Sequence, residues 1–503
     1  MLLKRLVFFL AVVASAQFDV TEASISQIHS AMKAGTLSCR ALVGMYKRRI
    51  DAYDKNGPAL NSIVVVNEKI EAEAAELDRK FATGGLSGPL HCIPMIVKDN
   101  FLTAGLQSAN GSLAFAGFVS DKDAFQVRRV KAAGALVMAK SNMAEFAFSP
   151  VETISSILPG YTRNPYALDR VTAGSSGGTA ASVAASFGAV GLGSDTGNSI
   201  RGPSSHQALV GIRSTMGLTS RAGVFPLNLL ADIAGPMART MEDAVAVFQV
   251  VAGEDPDDAV TAGARVENYS LALKRDGLKG ARIGVLRQAY ERDSADPEVV
   301  RVFEAAFEDL RKAGAVIVDP AKVTGIEGLK RAGGCMGFKY DLNRFLAGLG
   351  DKVAVKSLAE VLKSRKYHPS VQVRLEAAEK AAGNGPESAE CEAEMAYRKA
   401  FGAAVTSTMD ALKLDAYVYP TWSNPPRLIG DLNTAGGDNS QVFSPTSGFP
   451  SVQVPMGYTR GVLPAGLTFF GRAWSESTLI RLGYAYEQAT RWRHAPASTP
   501  LLR

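Results

Sequence analysis

The chain has 503 residues, 47% hydrophobic and 21% charged, which is enough apolar material to bury a large core in one α/β domain or two smaller ones. Its formal charge of +6 is spread thinly, with no lysine/arginine cluster interleaved with aromatics, so no nucleic-acid partner is expected. Cys39, Cys92, Cys335 and Cys391 lack zinc-ligand spacing, so no metal and no cofactor is expected; whether they are free thiols or bridged stays open.

Residues 1–16 read as a signal peptide. Lys4 and Arg5 form a basic start, Leu6 to Val13 an apolar run too short for a bilayer, and Ala14-Ser15-Ala16 a small-residue cleavage site. The mature chain, 17–503, is then expected to begin at Gln17 and to be secreted or periplasmic, with no stable membrane insertion; a retained anchor is the alternative. Helical spacing runs over 25–53, with Leu42, Tyr46, Ile50 and Tyr53 on one face. A β-branched strand follows at 62–66 and an amphipathic helix at 68–81. The apolar segment 91–99 predicts a short strand whose end delivers Lys98. A helix over 121–134, closed by Gly134, leads to a strand at 135–139.

This alternation predicts an α/β fold, a single large domain with a central mixed sheet covered by helices on both faces. From about 255 to 400 the texture shifts to long charged helical segments after a strand-like 281–286, which predicts a helical elaboration. Residues 381–390 read as an exposed connection and 414–420 as a strand. A long loop at 430–447 can border a cleft; 450–455 and 465–471 read as closing strands before a last helix at 476–491.

Two Gly/Ser-rich turns carry the chemistry. Ser175 lies in Thr172-Ala173-Gly174-Ser175-Ser176-Gly177-Gly178-Thr179, and Ser199 in the turn that begins at Gly193. Such stretches are often linkers, but a small-residue helix pattern at 179–187 and a glycine-bounded strand at 188–195 separate these two. A nucleophilic serine needs a base. None of His29, His91, His206, His368 and His494 sits in a Gly-x-Ser-x-Gly context, whereas a desolvated lysine can accept a proton near neutrality. On spacing alone, the plainer reading of Lys98 is a solvated strand-end lysine beside Asp99.

The chain resembles the amidase signature enzymes, the family of fatty-acid amide hydrolase, peptide amidase and malonamidase. The glycine/serine signature appears as Ala173-Gly174-Ser175-Ser176-Gly177-Gly178 and Gly193 through Ser204, the lysine motif as Gly88 through Asp99. Further matches are Ala139 through Phe146, Arg163-Asn164-Pro165 and Gly448 through Pro455. The resemblance implies a Ser-Ser-Lys triad: Ser199 as nucleophile, Ser175 as proton bridge, Lys98 as base. It implies an oxyanion hole of backbone N–H groups from Thr196, Gly197, Asn198 and Ser199, with Asp195 and Arg201 as loop supports and Ser176 in a structural role.

Three departures stand out: Asn198 and Cys92 each replace a glycine, and Ile212-Arg213-Ser214-Thr215 lacks the usual proline. Met143, Ala147 and Asn198 are the candidate pocket residues, with Asn198 expected to shape specificity beside the nucleophile. The expected partner is a small-molecule amide; the oligomeric state is not legible. The competing readings are an amidotransferase A-type subunit, which export disfavours, and a non-catalytic binding protein on the same fold. A Walker-type phosphate cradle fails because no Gly-Lys-Ser/Thr ends the Ser175 turn.

Overall fold

The computed structural model describes residues 18–502, so the expected signal peptide and cleavage point lie outside the described residues. Its strands are β1 Ile63–Val66, β2 Pro94–Lys98, β3 Leu136–Ser141, β4 Arg163–Asn164, β5 Ala167–Val171, β6 Val190–Asp195, β7 Val210–Arg213, β8 Ile233–Ala238, β9 Arg282–Val285, β10 Val316–Val318, β11 Ala416–Pro420, β12 Ser451–Thr459 and β13 Leu463–Phe470. Eleven of them form one mixed sheet in the order β1-β3-β2-β6-β8-β7-β12-β13-β11-β9-β10, and β4 and β5 pair separately. Helices flank the sheet.

Every residue of β2, β3, β6 and β8 is buried. Strands covered on both faces become continuous apolar runs rather than alternating ones, which is why Met95-Ile96-Val97 reads as it does. The same burial takes Lys98 out of water. It does not stand in solvent at a strand end.

One expected element is corrected, and one open question closes. The helix expected over 25–53 is two, Ile25–Lys33 and Cys39–Tyr53. Gly35 takes a φ of 71° after the first, and the Ser38 hydroxyl accepts the Ala41 N–H at 3.1 Å to start the second. These are stop and start signals that apolar periodicity alone passes over. The four cysteines are not free thiols: they form the disulfides Cys39–Cys92 and Cys335–Cys391. The first joins a helix start to the turn that enters β2.

The 255–400 region both extends the sheet and builds over it. β9 and β10 add to one edge. The helices Phe338–Leu349, Leu358–Ser364, Gln372–Lys380 and Ala389–Ala411 then form a cap, and the Cys335–Cys391 bridge closes its base. Among the described residues no helix is long and apolar enough to cross a membrane.

Candidate active site

β2 and β6 run parallel, with Val97 opposite Leu192, so their carboxyl ends arrive together. Such ends are where open α/β sheets hold ligands. One strand delivers Lys98 and the other the loop from Asp195 to Ser199. The turn carrying Ser175 meets them from the side, a cis peptide bond joining Gly174 to Ser175. Close packing holds that turn: a side chain at Gly178 would collide with the backbone of Asn142. The Ser176 N–H donates to the Ser199 carbonyl at 3.3 Å, and the Ser176 hydroxyl donates to the Ser194 carbonyl at 3.2 Å. Ser176 thus ties one serine turn to the other.

Lys98 Nζ stands 2.7 Å from Ser175 Oγ, both side chains being fully buried. Burial pushes the Lys98 amine down from 10.5 to about 7, against the opposing pull of Asp195 and Asp232. A neutral amine near physiological pH is the form able to accept a proton. Among the described residues no histidine lines the adjoining cavity; His206 is packed against Trp422, and burial drives its pKa down to about 3.

Buried charges shape the loop after β6. Asp195 accepts from Arg201 Nε at 3.0 Å and Nη2 at 3.1 Å, from Arg213 Nη1 at 3.0 Å, and from the Ile200 N–H at 3.1 Å. Burial would raise this carboxyl, but the two guanidinium groups hold it well below the usual carboxylate range. Arg201 also donates to the Gly197 carbonyl at 2.6 Å, and the Thr196 hydroxyl donates to Asp232 at 2.5 Å. With these groups engaged, none of the N–H groups of Thr196, Gly197, Asn198 and Ser199 donates to a protein acceptor among the described residues. Consecutive unclaimed amides beside a cavity can hold a developing negative oxygen.

The cavity measures about 640 Å³, and Thr196, Gly197 and Ser199 line its floor. Ala147 and Phe148 line it as well, together with Asp438 and Gln441 from the long loop. The cap contributes Phe338 and Arg374. Phe338 meets the Phe148 ring edge-on at 4.7 Å, and the Arg374 guanidinium lies 4.7 Å over that ring.

Two candidate pocket residues are placed elsewhere. Met143 is fully buried and packs against Gly111, outside the cavity lining. Asn198 is also fully buried, its amide lodged where a side chain at Gly202 would collide. Burial pushes the nearby Asp438 carboxyl up to about 6, and Asn198 lies close enough to oppose that rise slightly, though neither of its amide atoms makes a hydrogen bond of good geometry. Asn198 does not have a positive φ, so the loop does not require glycine there. Its side chain packs against protein and is not among the residues lining the cavity. Arg213, Asp232, Phe338 and Arg374 belong to the site without a sequence signal of their own; Arg213 stands within one of the three departures, and the cap pair carry no local motif.

The Amidase family profile matches residues 41–480. The glutamyl-tRNA(Gln) amidotransferase A subunit of Acinetobacter baumannii is 31% identical, over 94% of this chain and 97% of that protein. The native peptide amidase of Stenotrophomonas maltophilia superposes with a TM-score of 0.85 at 35% identity, covering 95% of this chain and 99% of the other. An amidase family protein from Bacillus anthracis gives 0.83 at 30% identity, covering 95% and 92%.

Proposed function

The chain belongs to the amidase signature family, and we propose that it is an exported serine hydrolase that cleaves carboxamide C–N bonds through an acyl-enzyme on Ser199. The observation that carries this reading is the contact between the buried Lys98 amine and Ser175 Oγ, beside a loop whose free amides share a cavity with Ser199. Neutral Lys98 takes the Ser175 proton while Ser175 takes the proton of Ser199, whose oxygen attacks the amide carbonyl carbon. The carbonyl oxygen becomes an oxyanion held by the N–H groups of residues 196–199. As the C–N bond breaks, the proton returns through Ser175 to the leaving nitrogen. Water then repeats the cycle on the ester and frees Ser199. Peptide-amide, anilide and carbamate substrates all present the required carbonyl.

Export draws support from the leader-like residues 1–16 and from two disulfides, which persist in oxidising compartments. The likeness to an amidotransferase component supports a second reading, glutamine-dependent ammonia transfer. A fluorophosphonate should add once, on Ser199, as read by peptide mass spectrometry. Ser199→Ala should lose both labelling and turnover over a panel of primary amides, anilides, carbamates and peptide amides. Labelling on Ser176, or a turning-over Ser199→Ala protein, overturns the assignment. Glutaminase activity that appears only with added partner proteins would favour the amidotransferase.

A further inference from the structure

We infer that Ser194 and Asn100 are positioning residues for the base: Ser194 takes up the N–H bonds of Lys98, and Asn100 holds the Ser194 hydroxyl, so that the lone pair of Lys98 faces Ser175. This inference rests on the triad reading above. A neutral lysine amine has two hydrogens and one lone pair, and only the lone pair is useful to a base. Lys98 Nζ has three neighbours: Ser175 Oγ at 2.7 Å, Ser194 Oγ at 2.9 Å and the Ser194 carbonyl oxygen at 3.4 Å. The carbonyl can only accept. Asn100 Nδ2 donates to Ser194 Oγ at 2.9 Å and holds that hydroxyl in place. Ser194 also borders a void of about 10 Å³ shared with Asn100, Thr196 and Asp232, an outlet for its own hydroxyl hydrogen. With both N–H bonds directed to Ser194, the third direction, toward Ser175, is left to the lone pair.

The arrangement is local to two strand ends. Ser194 precedes Asp195 at the end of β6, and Asn100 follows Lys98 by two residues beyond β2. The Ser194 carbonyl also receives the Ser176 hydroxyl at 3.2 Å, so the acceptor set is itself fixed. The charges that bear on Lys98 are Asp195, paired with Arg201 and Arg213, and Asp232, which accepts from Thr196. Neither carboxylate is hydrogen-bonded to Nζ, so aiming the amine falls to neutral groups.

Ser194→Ala should lower kcat/KM about 10- to 100-fold with KM nearly unchanged, the scale of a misaligned general base. An acceptor stabilises the ammonium more than the amine, so its loss should also move the acid limb of the pH–rate profile to lower pH. Asn100→Ala should act in the same direction and more weakly, and Ser194→Thr should restore most of the rate. Melting curves check that each variant is folded. If Ser194→Ala misfolds, Asn100→Ala carries the test alone. A wild-type rate and profile overturns the positioning role. So does a rate loss with an unmoved acid limb, or a threonine variant no better than alanine. Failure of the triad itself would show separately, as turnover by Ser199→Ala.

Discussion

At the scale of single residues, the proposed role of Lys98 as base and the stability of the fold pull against each other. Its amine titrates near 7 in the folded chain and near 10.5 when unfolded, so below 10.5 the unfolded chain holds the proton more readily. Stability contributed at this site therefore rises with pH between 7 and 10.5, and below 7 the full penalty for burying the amine applies. Lys98→Met should cut kcat/KM about 10²- to 10⁴-fold at pH 7, less so in alkali, where hydroxide replaces the base. It should also melt higher than the parent at pH 7, with the gain fading toward pH 10.5; equal melting shifts at both pH values would contradict the linkage. Asp195 has the opposite sign. Its folded pKa is depressed, so its stabilisation is complete above the unfolded value of 3.8 and is lost as pH falls through that range. Asp195→Ala strands Arg201 and Arg213 in the interior, and denaturant titration should show a loss of about 3–5 kcal/mol. Asn198 lies on the same loop, but its amide is buried against Gly202. Asn198→Gly should change kcat/KM by one common factor across a substrate panel, and a reordered panel would put its side chain in contact with substrate after all.

At the scale of elements, the two disulfides act on different parts of the site. Cys92 occupies a φ of 62°, a left-handed conformation that favours glycine, at the turn leading into the strand that ends in Lys98. Cys92→Gly and Cys92→Ser both remove the bridge, but only serine keeps a Cβ in the strained conformation. The glycine variant should be more stable by about 1–2 kcal/mol in equilibrium unfolding. The Cys335–Cys391 bridge closes the base of the cap, where the Met336 N–H also donates to the Asn384 carbonyl at 2.8 Å. Since the cap brings Phe338 and Arg374 to the cavity, loosening it should disturb binding before chemistry. The Cys335→Ser/Cys391→Ser protein should show KM raised more than kcat lowered, with limited proteolysis cutting between residues 336 and 390.

At the scale of the whole molecule, the α/β class and the order of the functional groups along the chain were legible because each rests on local pattern. Alternating β-branched and helical segments mark strands and helices, and the turns holding Lys98, Ser175 and Ser199 carry their signature within a few residues. The aligned strand ends were not legible, because β6 reaches its place between β2 and β8 through pairings between residues far apart in the chain. Long-range contacts also decided the rest. Arg213 meets Asp195 from β7, Arg374 reaches Phe148 from the cap, and Cys39 finds Cys92 across 53 positions. Side-chain direction followed the same rule: Asn198 adjoins Ser199 in sequence, yet the missing side chain of Gly202 draws its amide away from the cavity. Sequence by itself determined which groups are present and the local turns that hold them. Tertiary packing decided which way they face, which charges surround them and whether water reaches them, because those depend on neighbours that local spacing does not encode.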